Sequence, residues 1–148
     1  MIGFAPLQIQ QWGVVDHLLG LRWVEDTRGI WALKDGAPAA LCVLQNWTKS
    51  SVCAHLWVKN PVILRHGYFE EVADFAFNKG GVYTMIGMVP ADNDKALKLN
   101  RHIGFKELCR IPDGYAPGED WVVMTANRES LSRWLGGSDG VERSSRSA

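Results

Sequence analysis

One stretch limits what this chain can fold into more than any other: VYTMIGMVPADNDKALKLNRHIGF, from Val82 to Phe105. Val82 to Val89 is apolar and rich in β-forming side chains, which predicts a strand buried on both faces. Pro90-Ala91-Asp92-Asn93 is turn chemistry and must end that strand. Asp94 to His102 then predicts a helix, because Ala96, Leu99 and Ile103 recur at spacings of three and four and mark one helical face. Asp92 or Asn93 is placed to cap it, since a short side-chain oxygen accepts from the first free backbone N–H groups. Gly104 suits the helix stop, where a left-handed residue is wanted, and Phe105 returns the chain to the core.

The flanking sequence supplies a sheet. Gly29–Lys34 and Ala37–Trp47 flank Asp35-Gly36, the dipeptide of a tight hairpin, and Ser51–Val58 (SVCAHLWV) predicts a third antiparallel strand. A long helix is expected from the residues after that strand to about Asn78. Tyr68, Val72, Phe75 and Ala76 form its apolar face, and Lys79-Gly80-Gly81 ends it. Lys106–Ile111 and Asp120–Ala126 read as a closing hairpin with Tyr115 in its turn. At the other end, Leu7–Gln10 alternates like a short strand, and Trp12–Trp23 shows a helical face of Val15, Leu18, Leu19 and Trp23. Ser130–Leu135 reads as a last helical turn. The sum is a mixed α/β chain, a mostly antiparallel sheet flanked by helices, in one domain over residues 1–135. Residues 136–148, GGSDGVERSSRSA, hold one apolar side chain larger than Ala and are expected to form a disordered tail.

Composition narrows the function classes. Basic and acidic side chains balance at 16 each, so no charge excess calls for nucleic acid or a membrane surface. No apolar run approaches the ~20 residues that span a bilayer, and the N-terminus lacks the basic start of a signal peptide. Cys42, Cys53 and Cys109 sit in apolar runs without CxxC spacing, which predicts buried thiols of a reducing compartment and no metal. The cytoplasm is the expected location. Seven Trp are many for 148 residues; some belong to the core, others to a cleft or a partner surface.

The pattern Asn93-x-x-Ala96-x-x-Leu99-x-x-x-x-Gly104-Phe105, followed by a hairpin, resembles the C-terminal segment of the GCN5-related N-acetyltransferases (GNAT). The resemblance covers about Gly29 to Leu135. It implies the GNAT acyl-CoA N-acyltransferase fold, acetyl-CoA as co-substrate and a primary amine as acceptor: a protein N-terminus, a lysine or a small molecule. It further implies that a bulge splays Ser51–Val58 from the next strand, so that the backbone of Leu56, Trp57 and Val58 pairs with the pantetheine arm. Asn93 would contact the same arm, and Lys98 joins the cofactor-binding set. The family's phosphate loop would fall on Val62-Ile63-Leu64-Arg65-His66-Gly67. Only Gly67 matches its glycines, which leaves Arg65 and His66 as side-chain phosphate contacts. Asn100 stands where the family has a Tyr that protonates the leaving thiolate, and an amide cannot act as that acid. Candidates for proton transfer are His55, the only group in Ser51–Val58 that titrates near neutrality, and Tyr115; Asp120 is a further candidate. Asp16 and His17 are candidates for the acceptor side. The chain is also similar to short, divergent GNAT-like proteins encoded by tailed bacteriophages. That similarity implies an alternative: a catalytically inactive binding or assembly protein with a protein partner, in the host cytoplasm or the virion. A monomer or a homodimer fits either reading.

Overall fold

The computed structural model describes residues 1–136, so the expected tail at 136–148 lies, apart from Gly136, outside the described residues. Seven strands form one sheet in the order β1-β2-β3-β4-β5-β7-β6. They are β1 (Ile2–Pro6), β2 (Arg28–Lys34), β3 (Ala37–Gln45), β4 (Ser51–Val58), β5 (Thr84–Pro90), β6 (Lys106–Ala116) and β7 (Glu119–Asn127). All neighbours are antiparallel except β4 and β5. Asp35 and Gly36 both take positive φ, 52° and 82°, as the two-residue β2–β3 turn requires.

Helices cover both faces of the sheet. On one face α1 (Trp12–Leu19) buries Val15 against Trp31, Leu41 and Val43. On the other, α2 (Tyr68–Ala73) and α3 (Asp94–Ile103) bury Phe69, Val72, Leu97 and Ile103 against Ala40, Cys42, Leu44 and Met85. The two sets of β3 residues alternate along the strand, which is the period-two pattern of a sheet with a core on each side. The buried Tyr68 hydroxyl donates to the Ile30 carbonyl at 2.5 Å, tying α2 to β2. No helix among the described residues is long and apolar enough to cross a membrane.

Several expectations need correction. The N-terminal strand is Ile2–Pro6, one step earlier than Leu7–Gln10, and Ile9–Gln11 is a single 3₁₀ turn. Helix α1 stops at Leu19 and not at Trp23, because Gly20 turns left-handed and closes it with a bond from its N–H to the Asp16 carbonyl. The expected long helix is three pieces: a 3₁₀ segment over Pro61–His66, α2, and a wide π-type turn over Asp74–Lys79. Gly67, at φ 87°, makes the first break. β5 is not buried on both faces; its burial alternates, with Met85, Gly87 and Val89 inside. In α3 the buried stripe is Leu97, Asn100 and Ile103, while Ala96 and Leu99 are only half-buried beside it. Strand β6 runs to Ala116, so Tyr115 lies in a strand, and the loop shrinks to Pro117-Gly118. Cys109 is exposed on β6, where Cys42 is buried and Cys53 half-buried. Ser130–Leu135 forms turns that bury Leu131 and Trp134, with Trp134 Nε1 donating to the Ile103 carbonyl at 2.6 Å.

Candidate active site

The site begins where two parallel strands part. β4 and β5 pair only from Ser51↔Thr84 to Ala54↔Gly87. Beyond that, β4 stays with β3, from His55↔Val43 to Val58↔Ala40. β5 stays with β7, from Met88↔Val123 to Pro90↔Trp121. The edge of His55–Val58 that faces β5 therefore has no strand partner among the described residues. The expected bulge is not the cause, because the β3–β4 register is unbroken from Ala40↔Val58 to Gln45↔Cys53. β5 diverges instead, carried off by its ladder with β7.

The opening is a cleft of about 330 Å³ that passes between the two faces of the sheet. Toward α1 it is lined by Asp16, His17, His55, Tyr115 and Trp121. Toward α3 it is lined by Phe69, Asn93, Ala96, Asn100 and Phe105. A groove of about 440 Å³ continues from it along α3, bounded by Leu56, Trp57, Val58 and Pro61 on one side and Asn93, Lys95, Lys98, Leu99 and His102 on the other. Two reactants can thus approach one opening from opposite faces.

Local sequence explains the wall at α3. Pro90 accepts from the Asn93 N–H at 2.9 Å, closing a tight turn. The Asn93 side chain then accepts from the Ala96 N–H at 3.1 Å and caps α3, so Asn93 and not Asp92 is the cap. Its amide N–H₂ group remains available toward the cleft. Asn100 is buried; its carbonyl accepts from Gly104 and Phe105, and its side-chain N–H contacts the Met124 sulfur at 3.9 Å. Gly104 has φ 132°, and a Cβ there would meet the Ser130 carbonyl oxygen at 2.3 Å, so the chain passes too close for any side chain.

On the α1 side His55 is buried, and burial pushes its pKa down to about 4. The imidazole is therefore neutral through the physiological range, and no described residue hydrogen-bonds to it. Tyr115 is exposed and stacks edge-on against Trp121, with ring centres 5.1 Å apart. Cys42 also touches the cleft, but burial raises its thiol to about 12, which keeps it protonated and unreactive.

The structure thus brings together Leu56, Trp57, His55, Asn93, Tyr115, Asp16 and His17 around one opening, with Val58 and Lys98 on the adjoining groove. Gly67 opens α2. Arg65 is exposed on the 3₁₀ segment, and His66 lines a separate depression with Met1, Ile2, Lys34 and Val62. Trp121 and Met88 line the cleft without any signal in the sequence that separates them from core residues of their strands. Asn100 carried a signal, a polar residue among the apolar positions of a helix, but not the information that it would be buried.

No family model matches the sequence, and no curated protein matches it. Solved structures do. The chain is similar to the ribosomal-protein-S18-alanine N-acetyltransferase of Escherichia coli, with TM-score 0.66 and 20% identity over 86% of this chain and 94% of that one. It is similar to mutant forms of the spermidine/spermine N-acetyltransferase SpeG of Vibrio cholerae, with TM-score 0.71 and 12% identity over 91% and 99%. A third similar structure is a putative acetyltransferase of the GNAT family from Desulfovibrio desulfuricans, at TM-score 0.64 and 12% identity over 86% and 99%. The fold of this chain is the GNAT fold.

Proposed function

We propose that this GNAT-fold chain is an N-acetyltransferase that moves an acetyl group from acetyl-CoA to a primary amine in the cytoplasm. The observation that carries the reading is the unpaired edge of β4 opposite a diverging β5. An extended amide-bearing arm satisfies such an edge as an added strand would. The residues present suit that arm: half-buried Leu56, Trp57 and Val58 supply apolar contact, and Asn93 offers an amide at the turn.

The chemistry is direct attack. The amine nitrogen bonds to the thioester carbonyl carbon, the C–S bond breaks, and one proton passes from nitrogen to the thiolate by way of water. A backbone N–H from Leu56–Val58 polarises the carbonyl oxygen. His55, neutral at working pH, accepts a hydrogen bond from the incoming amine and orients it. With a pKa of about 4 it is too weak to keep an ammonium proton, so that proton leaves to water at the mouth, past Asp16 and His17. Asn100 donates a hydrogen bond toward sulfur without giving up a proton. Tyr115, on the cleft wall, relays that nitrogen-derived proton: its hydroxyl gives one proton to the thiolate and recovers one from the water that deprotonated the nitrogen. The acceptor is a protein N-terminus, a lysine or a small-molecule amine, as the similar S18-alanine and spermidine enzymes illustrate.

The test is calorimetric titration with acetyl-CoA followed by thiol release over a panel of N-terminal peptides and polyamines. Micromolar binding, about −8 kcal/mol, and amine-dependent thiol release are expected; a folded sample silent to millimolar acetyl-CoA would refute the reading.

Two observations favour a second reading. Asn100 occupies the wall where a proton donor for sulfur would stand, and Tyr115 is half outside the cleft. A non-catalytic binding or assembly protein, of the sort tailed phages encode, needs neither group. It predicts no thiol release with any amine and a protein partner that persists through purification.

A further inference from the structure

The end of the groove away from the sheet opening carries its own information, which rests on the acetyl-CoA reading above. An acyl donor of the CoA type ends in phosphates, and such anions are held by free backbone N–H groups or by cations. Much of the connection after β4 has its amides engaged or lacks them. Pro61 has none. The Val62 N–H is bonded to the Asn60 side chain at 3.2 Å and the Ile63 N–H to the Asn60 carbonyl at 3.3 Å. The Gly67 N–H is bonded to the Ile63 carbonyl, and the N–H groups of Lys59 and Asn60 both go to the Ala39 carbonyl, at 2.8 and 3.2 Å. The N–H groups of Lys59, Asn60, Val62, Ile63 and Gly67 are thus already engaged.

Two lysines and a histidine stand on the opposite wall. Lys95, Lys98 and His102 are three and four residues apart on α3, which puts them in one stripe along the helix. All three are exposed and line the groove opposite Pro61 and Val58. Among the described residues no carboxylate lines that groove and neither lysine has an acidic partner. We infer that the phosphate end of the acyl donor is held by this α3 stripe, Lys95 and Lys98 with His102. The site takes an anionic phosphate group joined to an apolar arm, the arm lying against Leu56 and Leu99.

Titration calorimetry of the full chain tests this with acetyl-CoA and with S-acetylpantetheine, which has the arm and thioester but no phosphate. The variants are Lys95→Gln with Lys98→Gln together, and Arg65→Gln for comparison; all three side chains are exposed, so folding is not at issue. The double variant is expected to bind acetyl-CoA about 25-fold more weakly, roughly fivefold per exposed charge contact. Its affinity for S-acetylpantetheine is expected to stay unchanged, and added salt to weaken the wild type more than the variant. Arg65→Gln is expected to change acetyl-CoA binding less than twofold. Acetyl-CoA binding equally well to wild type and double variant overturns the inference while leaving the transferase reading standing. So does an equal loss for S-acetylpantetheine, or a loss confined to Arg65→Gln. Silence of both compounds with the wild type overturns the inference together with the reading it rests on.

Discussion

The cleft is framed by two strand-to-helix connections that solve the same problem differently. After β5 the chain turns within Pro90–Asn93, and Asn93 caps a ten-residue helix directly. After β4 it takes a 3₁₀ segment, a left-handed glycine, a six-residue helix and a π-type turn before reaching Gly80. The first connection leaves an amide side chain, two lysines and a histidine facing the groove. In the second, the N–H groups of Val62, Ile63 and Gly67 are already bonded, and the groove meets mainly Pro61. The difference leaves the polar side chains of the groove on the wall built by α3, while the wall after β4 shows it an apolar surface. Each prediction below strains one side of that contrast.

The largest effect is expected at Gly104, where α3 ends. Alanine there combines a φ of 132° with a Cβ placed 2.3 Å from the Ser130 carbonyl oxygen. Strain and overpacking together predict a loss of about 4 kcal/mol, read as a lower denaturation midpoint in urea. If Gly104→Ala costs less than a kilocalorie, the α3 unit is not pinned to the C-terminal turns as described.

Next comes His55, on the strand that leads into the connection after β4. Its folded pKa is about 4 against an ordinary value of 6.5. Between those values the unfolded chain binds the extra proton, so stability falls as pH drops from 6.5 and the loss levels off below 4. The full shift corresponds to about 3 kcal/mol. His55→Gln is expected to flatten that part of the stability profile relative to wild type, measured by chemical denaturation at pH 7, 5.5 and 4.5. Parallel profiles for the two proteins would mean that the imidazole is already open to water.

How much of this the sequence disclosed follows from how local each cause is. The strand–turn–helix was legible in kind because its signals lie within a few residues (a proline turn, an Asn three residues before the amide it caps, a glycine stop), although the strand is Thr84–Pro90 and not Val82–Val89, with Pro90 still paired to Trp121. β4 was legible to the residue. The segment Pro61–Lys79 was not, because its apolar spacing suits one continuous helix, and only the left-handed Gly67 and the packing of Tyr68 and Phe69 reveal the break. The buried stripe of α3 was misread for a chemical reason: hydropathy selects Ala96 and Leu99, whereas the structure buries Asn100. Nor could strand patterning show that β4 and β5 part after four residue pairs, since that depends on which strand each one follows. The groups around the cleft were individually nameable, as His55, Asn93, Tyr115, Asp16 and His17 illustrate, but their convergence was not.

A smaller effect is expected at Gly67, and it sharpens the comparison of the two helix junctions. Its φ is 87°, as unfavourable for alanine as a left-handed residue should be, yet a Cβ there would meet nothing within 4 Å. Gly67→Ala therefore isolates backbone strain without a clash and should cost about 1 kcal/mol. A cost equal to that of Gly104→Ala would show that the 3₁₀ segment is as tightly held as the end of α3.

The smallest change separates capping from binding at Asn93. Its side-chain oxygen accepts from the Ala96 N–H at 3.1 Å; alanine removes that bond and should cost about 1 kcal/mol. Aspartate keeps an oxygen acceptor at the same place and suits a helix N-terminus, so Asn93→Asp should leave stability within a few tenths of a kilocalorie. It also removes the N–H₂ donor and puts a negative charge beside the arm and phosphates of an acyl donor. If Asn93 serves only the helix, Asn93→Asp binds acetyl-CoA like the wild type and Asn93→Ala shows the only defect, in stability. If it serves both, Asn93→Asp folds normally and loses affinity. The second outcome is the one expected, because the capping contact occupies the oxygen and leaves the N–H₂ group of the same amide to face the cleft.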